Sequence, residues 1–369
     1  MNVLFAPYAE SNPYQANLRD GLAAQGDTVE AAVWDPFLPL VRSYLRARDT
    51  DVVHLHWLHE YFQARSRPVF LVRAAVFLLQ VWLLRLLGLR VVWTLHNLTA
   101  HEFPFPAAEA RLKRVFVQSL CDAVVVHCEA ARESAVDTYG LDDDARSKIH
   151  VVPHGHYRGN YPSEGSRGAA RDSLGLPADA TVLLYFGQIR PYKNVPVLIE
   201  TFAEVSEPGT WLVVAGNPRS ESIRAKVASL VETTDRVTAH LDYVPDEDVG
   251  TYMHASDAVV LPFRDVLTSG SAVLAMSYGR AVVAPAIGCL PALVGPDGGA
   301  LYDPDRPDGL ADALRSLESR SLDANGQRNR ERIAACDWEP IAERTAAVYR
   351  AARGAGAVPE VPESGLYAE

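Results

Sequence analysis

The sequence predicts an α/β protein built from two doubly wound halves, each a parallel sheet flanked by helices. Three observations carry that expectation. Short Val/Leu/Ala runs without period-two alternation recur along the chain and read as strands buried on both faces. Helical stretches separate most of them, which is the β–α order of parallel sheets. A glycine-rich segment then interrupts the pattern before it restarts, and 369 residues suffice for two domains at roughly 150 each.

In the first half, Asn2–Pro7 reads as a buried strand. Asn12 and Pro13 supply an N-cap and a first-turn proline to a helix whose Leu18 and Leu22 share one face before Gly26. Further strands are expected at Thr28–Val33, Asp51–His56, Arg90–His96, Asp122–His127 and Lys148–Pro153. Residues 154–168 (HGHYRGNYPSEGSRG) hold four glycines and no apolar period, and read as a hinge linker. After it come strands at Thr181–Gly187, Trp211–Gly216, Val237–His240, Asp257–Pro262 and Ala281–Pro285. The expected organisation is therefore a domain over 1–153, the linker 154–168, a second domain over 169–336, a helix over 337–353 returning to the first domain, and a disordered Gly/Pro/Glu-rich tail over 354–369.

Composition narrows the function classes. Hydrophobic residues make up 48% and charged residues 22%, an ordinary globular balance. Acids exceed bases by 46 to 35, a net charge of −11, which argues against a nucleic-acid partner because phosphate binding needs a basic face. The cysteines Cys121, Cys128, Cys289 and Cys336 form no C-x-x-C pair and no zinc-spaced cluster, so a disulfide-framed fold is not expected and a reducing, cytoplasmic location is. The N-terminus shows no basic n-region of a secretory signal.

The stretch from Val69 to Trp93 is the most hydrophobic, but Arg73, Arg85 and Arg90 interrupt it. Its uncharged run Ala74–Leu84 is shorter than the ~20 residues of a membrane span. Around Val69–Leu87, Arg73 and Gln80 share a helical face while Phe70, Phe77, Leu78, Trp82 and Leu86 load much of the rest. That pattern suits an interfacial helix at the inner face of a cell membrane, or else a core helix with its arginines at the rim.

Two local signals bear on chemistry. Phe186-Gly-Gln-Ile-Arg190-Pro-Tyr-Lys193-Asn194 follows a buried strand and puts two cations on its exit loop. Arg190 as a fork and Lys193 as a point charge suit a diphosphate. The other reading of this loop is a solvated surface turn. Thr268, Ser269, Gly270 and Ser271 open an Ala/Leu/Met helix, where free backbone N–H groups and the helix dipole make an anion site; plain N-capping by Thr268 or Ser269 is the alternative. His54, His56 and His59 flank Trp57 near a strand end. Their spacing suits either a metal or hydrogen bonding within the core, and the expectation is no metal. His154 and His156 in the linker are candidates for ligand contact or for hinge packing.

The chain resembles GT-B glycosyltransferases of the family 4 (group 1) type. The landmarks are the strand–loop ending in Lys193, Trp211-Leu-Val-Val-Ala-Gly216, Val244-Pro-Asp-Glu247 with Tyr252, and Ala255-Ser-Asp257-Ala-Val-Val-Leu-Pro262. Further ones are Ala275-Met-Ser-Tyr-Gly279-Arg-Ala-Val-Val-Ala284 and Trp338-Glu339. In the first half they are Asp51-Val-Val-His-Leu-His56, Trp93-Thr-Leu-His96 and Val151-Val-Pro-His-Gly155. Three features depart from the family pattern. Val266 and Leu274 stand where the family carries two glutamates eight positions apart, one of which grips the ribose hydroxyls. Gln188 replaces the usual arginine after the strand glycine, and Pro7–Tyr14 replaces a glycine-rich loop. The chain is in this respect similar to a divergent branch, the glycolipid 4-β-mannosyltransferases.

The resemblance implies two Rossmann-like domains facing a central cleft. It implies an enzyme that moves a sugar from a nucleoside diphosphate donor to a hydroxyl of a glycan or lipid-linked glycan, with no cofactor and no metal. Arg190, Lys193 and Thr268–Ser271 would hold the donor diphosphate. His96 would lie beside the donor sugar, and Glu102, six residues on, is the expected general base of an inverting transfer, with Glu10 as runner-up. Asn12, Tyr14 and His154 complete the candidate acceptor or sugar contacts. The rival readings are a GT-B nucleotide-sugar epimerase, a sugar-phosphate synthase, and a non-catalytic glycosyltransferase-like subunit.

Overall fold

The structure is a computed structural model and describes residues 1–9 and 12–359. The chain divides into two compact units. Met1–Gly155 together with the residues from Cys336 onward form the N-terminal unit, and His156–Ala335 form the C-terminal unit.

The N-terminal unit is a six-stranded parallel sheet of β1 (Asn2–Ala6), β2 (Thr28–Ala31), β3 (Val52–Leu55), β4 (Arg90–Thr94), β5 (Ala123–Val126) and β6 (Ile149–Val151), in the order β2-β1-β3-β4-β5-β6. β3 and β5 are buried at every residue, as their unbroken apolar runs require, whereas edge strand β2 is mostly exposed. The helix Pro13–Ala24 starts as expected, with the Asn12 side chain accepting the Tyr14 N–H at 3.0 Å and Pro13 in the first turn.

The helix Trp338–Ala352 packs on Pro13–Ala24 so closely that a Cβ on Gly21 would meet Ala342 Cβ at 2.8 Å, and Arg344 donates to the Val151 carbonyl at 2.7 Å. Trp338 also lies flat against Gly155, where any side chain would collide with the indole.

One helix among the described residues, Arg67–Leu86, is long and apolar enough to cross a membrane. It is built into this unit: Phe70, Phe77, Val81 and Leu84 are buried, with Phe77 ring-to-ring against Phe62 and Phe116. Gln80 does not share an outer polar face with Arg73. It is buried and accepts the Leu40 N–H at 3.1 Å, while Arg73 is exposed and donates to the Gln63 carbonyl. Phe70 and Phe77 likewise belong to the core side rather than the outer one.

The C-terminal unit repeats the plan with β7 (Thr181–Phe186), β8 (Thr210–Ala215), β9 (Val237–His240), β10 (Ala258–Val260), β11 (Ala281–Pro285) and β12 (Gly299–Tyr302), ordered β12-β11-β10-β7-β8-β9, all parallel. Edge strand β12 has no counterpart among the expected strands. Its four residues, GALY, open on a glycine after Gly298 and carry too little β-branched character to stand out.

The expected linker differs from the observed one. The units part between Gly155 and His156, and the stretch after that point is stitched to its own unit. The Tyr157 N–H donates to Ser277 Oγ (3.0 Å), the Tyr278 hydroxyl to the Pro162 carbonyl (2.7 Å), and His254 Nε2 bonds the Ser163 carbonyl (3.0 Å). Glycine-rich composition here reflects close backbone approach as much as freedom: a Cβ on Gly250 would strike the Pro162 carbonyl. Of the tail expected to be disordered, residues 360–369 lie outside the described residues.

Candidate active site

In the C-terminal unit, the loops after β7, β8 and β10 meet at the carboxyl ends of the strands, where doubly wound sheets bind ligands. Gly187 (φ 128°) and Gly216 (φ 150°) end β7 and β8 in left-handed backbone, and they touch so closely that a Cβ on Gly216 would overlap the Gly187 carbonyl. The Ile189 N–H donates to Asn217 O (3.0 Å), which holds the two loops together.

Pro191–Lys193 forms one 3₁₀ turn, closed by Asn194 in the left-handed region at φ 58°. The Arg264 N–H donates to Tyr192 O (2.9 Å), which fastens this turn to the loop after β10. Lys193 Nζ sits over the Phe263 ring at 4.8 Å. A Cβ on Gly187 would lie 3.2 Å from Ser271 Oγ and 3.7 Å from Lys193 Nζ, so the ammonium, the Ser271 hydroxyl and the glycine backbone converge on one spot.

The helix Gly270–Ser277 starts there. Ser269 Oγ caps it by accepting the Ala272 N–H (3.2 Å), while the N–H groups of Gly270 and Ser271 take no partner among the described residues. Thr268 faces Cys289 Sγ at 3.8 Å, so the capping role belongs to Ser269.

The charge at this spot is positive. Among the described residues no carboxylate pairs with Lys193 or Arg190. Arg190 Nε instead donates to Gln188 Oε1 at 3.1 Å, so the glutamine that replaces the usual arginine aims the one that follows it. Burial, followed by the charge of Arg190, lowers the Lys193 pKa to about 8. An ammonium without a carboxylate partner beside a helix N-terminus has the charge and the donors to take an anion. Val266 and Leu274, at the positions of the family glutamates, are both buried apolar side chains.

In the N-terminal unit, adjacent strands β3, β4, β5 and β6 each deliver a histidine at their carboxyl ends: His56, His96, His127 and His154. The rings form a row, with centroids 5.5 Å apart from His56 to His96, 5.7 Å from His96 to His127 and 5.1 Å from His127 to His154. Tyr14 lies against the whole row, edge-on to His56, His96 and His127, with Trp338 beside it.

Behind the row, His54 bonds the Tyr349 hydroxyl through Nδ1 and the Thr94 hydroxyl through Nε2, both at 2.7 Å, and Thr94 also bonds the Tyr14 hydroxyl. His54 therefore has no nitrogen left for a metal, and among the described residues no three His, Cys, Asp or Glu side chains are placed to hold one. Burial, reinforced by the neighbouring imidazoles, pushes His54 and His154 down to about 3 and His56 and His96 well below the usual 6.5; burial also takes His127 to about 4.

Only His96 of the row is half-exposed, with the Trp57 indole stacked on it at 4.8 Å and 17°. Tyr14 and His154 are buried within the row, and the Asn12 side chain caps the helix Pro13–Ala24. Glu102 is exposed and makes no hydrogen bond or ion pair among the described residues. Glu10 lies outside the described residues.

Two elements of this arrangement are not singled out by the sequence reading. His127 is one; it ends its strand as His56 and His96 end theirs, and that recurrence was the available signal. The other is the buried pair Glu109–Lys113 (2.8 Å). Glu109 accepts the Ala100 N–H and Lys113 donates to the Asn97 and Leu98 carbonyls, which holds the loop between His96 and Glu102 in shape.

Residues 180–320 match the family model described as Glycosyl transferases group 1, and residues 30–156 match Glycosyltransferase Family 4. A GDP-mannose:glycolipid 4-beta-D-mannosyltransferase of Xanthomonas campestris pv. campestris is 31% identical over 288 residues, 77% of this chain and 74% of that protein. A D-inositol 3-phosphate glycosyltransferase of Kineococcus radiotolerans is 30% identical over 272 residues, 68% of this chain and 62% of that protein. Among solved structures, a sucrose-phosphate synthase from Thermosynechococcus elongatus superposes with a TM-score of 0.76 at 21% identity, covering 96% of this chain and 99% of that one, which speaks to the shared fold. Two parallel six-stranded units, a cationic loop closing on a helix N-terminus, and relatives covered over most of their length lead to one assignment: the chain belongs to the family 4, group 1 glycosyltransferases, and is a Leloir-type enzyme of the GT-B fold.

Proposed function

We propose that the enzyme transfers mannose from GDP-mannose to a hydroxyl of a lipid-linked glycan at a membrane surface. The observation that carries the donor half is the convergence of Lys193 Nζ, Ser271 and the free N–H groups of Gly270 and Ser271 beside Gly187, with Arg190 next to them. Those groups supply the positive charge that a leaving diphosphate needs, in the place a divalent cation would otherwise take, so the reaction is expected to run in chelator. The guanine base, the mannose and the glycolipid are inferred from the names of the 31% and 30% identical relatives.

In this scheme His96 contacts the donor sugar and Glu102 takes the acceptor proton. A β-mannoside formed from an α-linked donor inverts the anomeric centre, which requires such a base. The assay is a panel of GDP-, UDP- and ADP-sugars read by thermal shift and by sugar release. GDP-mannose should stabilise the protein most, and equal responses to every base would overturn the donor assignment. Stabilisation without turnover, with a glycolipid acceptor present, would instead favour the non-catalytic reading.

The membrane half rests on an apolar surface of the N-terminal unit. Leu71, Val72, Leu79, Trp82, Leu83 and Leu86 of the Arg67–Leu86 helix are exposed, and the Asp35-centred turn displays Trp34 (86% exposed) and Phe37 (74%). Gln80 joins the helix after that turn to the same long helix through the Leu40 N–H, so the two apolar pieces are carried by neighbouring elements. Exposed Arg42, Arg46, Arg67 and Arg73 lie on these elements and suit anionic headgroups. The chain should float with anionic liposomes, and Trp82→Glu with Phe37→Glu should abolish flotation while leaving the fold intact; parent protein that stays unbound would retire the idea.

A further inference from the structure

We infer that His56 is a positioning residue that locks His96 into the tautomer with its proton on Nδ1, so that His96 offers the sugar a hydrogen-bond donor and not a base. The inference rests on the reading above that His96 meets the donor sugar, but its structural half stands alone.

His56 Nδ1 and His96 Nε2 are 3.2 Å apart. One of the two nitrogens carries the proton and the other accepts it, so the pair has two arrangements with both rings neutral. In the first, His56 Nδ1–H donates to His96 Nε2. His56 Nε2 is then a bare lone pair, and the proton of His96 is on Nδ1. In the second, His96 Nε2–H donates to His56 Nδ1. The proton of His56 must then sit on Nε2, and His96 Nδ1 becomes the lone pair.

The surroundings of His56 separate the two. Its Nε2 is fully buried and has no hydrogen-bond partner among the described residues, in a side chain 1% exposed. The second arrangement strands an N–H there with no acceptor, the rarer and costlier kind of orphan; the first leaves only an unfilled lone pair. The neighbour His127 shows the same preference: Nδ1 bonds the Val152 carbonyl at 3.0 Å, a contact only an N–H can make, and its buried Nε2 is left bare. Turning the His56 ring over would put a carbon, Cδ2, against His96 Nε2 and forgo the bond between the two rings. His96, half-exposed, then carries its N–H on Nδ1. Proton removal from the acceptor therefore falls to another residue.

The full-length enzyme labelled with ¹⁵N-histidine reports tautomers directly at neutral pH. His96 should show a protonated Nδ1 and a bare Nε2; the reverse pattern in the parent protein overturns the inference without recourse to any variant. His56→Asn puts an amide donor where Nδ1–H stood and should keep the tautomer and hold kcat within about threefold. His56→Asp puts an acceptor there. It should move the His96 proton to Nε2 and lower kcat by about 10- to 100-fold, with nucleoside diphosphate affinity unchanged. If His56→Asp does not fold, the parent spectrum and the Asn variant still decide. Tautomers that move as stated while transfer stays equal in both variants would uphold the lock and overturn the sugar contact of His96.

Discussion

Mild acid should destabilise the N-terminal unit, because five imidazoles, four of them buried and His96 half-exposed, are held neutral there. His54, His56, His96, His127 and His154 all have folded-state pKa values pushed below the ordinary 6.5, to about 3 or 4 where the value is defined. A depressed histidine pKa means that the unfolded chain binds more protons than the folded one below pH 6.5. Stability therefore falls as the pH drops from 6.5 towards 4. At pH 5.5 an exposed imidazole is about nine-tenths protonated, and keeping it neutral in the fold costs about 1.4 kcal/mol, against about 0.2 kcal/mol at pH 7.0. The difference, about 1.2 kcal/mol per ring, comes to about 5 kcal/mol for the four buried rings, on the scale of a whole domain's stability. Ordinary carboxylates titrate below this window and contribute little.

The assay is urea unfolding at pH 7.0 and 5.5 followed by tryptophan fluorescence. Trp34, Trp57, Trp82, Trp93 and Trp338 lie in the N-terminal unit and only Trp211 in the other. The main transition should move down by roughly 2 M urea at a slope of about 2–3 kcal/mol/M. His54→Gln, which removes one of the five groups, should shrink the pH-dependent part by about 1.2 kcal/mol whatever it costs at pH 7. A transition that sits at the same urea concentration at both pH values refutes the reasoning.

Other outcomes follow from the donor site and the proposed base. Lys193→Ala and Arg190→Ala should each weaken nucleoside diphosphate binding by ~1.5–3 kcal/mol in calorimetry, and parent-like binding in both would remove the site from consideration. Because Lys193 titrates near 8 and a diphosphate favours its charged form, affinity should decline as the pH rises from 7 to 9, with proton uptake on binding; Lys193→Ala should lose that dependence. Glu102→Gln should keep donor affinity while transfer falls by ~10²–10⁴, and the product of the parent enzyme should carry the inverted anomer; an active variant or a retained anomer removes Glu102 from the role of base.

Local chemistry decided much of this molecule. Buried apolar runs specify the strands at Val52–Leu55 and Ala123–Val126 without reference to anything distant, since only a strand covered on both faces tolerates them. Asn12 with Pro13 starts its helix by the same local logic. The tertiary structure alone decided where these pieces meet. Four histidines separated by 27 to 40 residues become one row only because the sheet runs β3-β4-β5-β6, and hydropathy carries no record of sheet order. The inward face of Arg67–Leu86 was equally hidden: the helix is apolar on nearly every side, so periodicity could not say that Phe77 and Gln80 point to the core and Trp82 to solvent. The segment at 154–168 reads as a hinge linker because glycine and proline mark both loose chain and chain pressed close to other backbone. Contacts to Ser277, Tyr278 and His254 made it the second kind, and those partners lie about 90 to 120 positions away in sequence, beyond the reach of any local pattern.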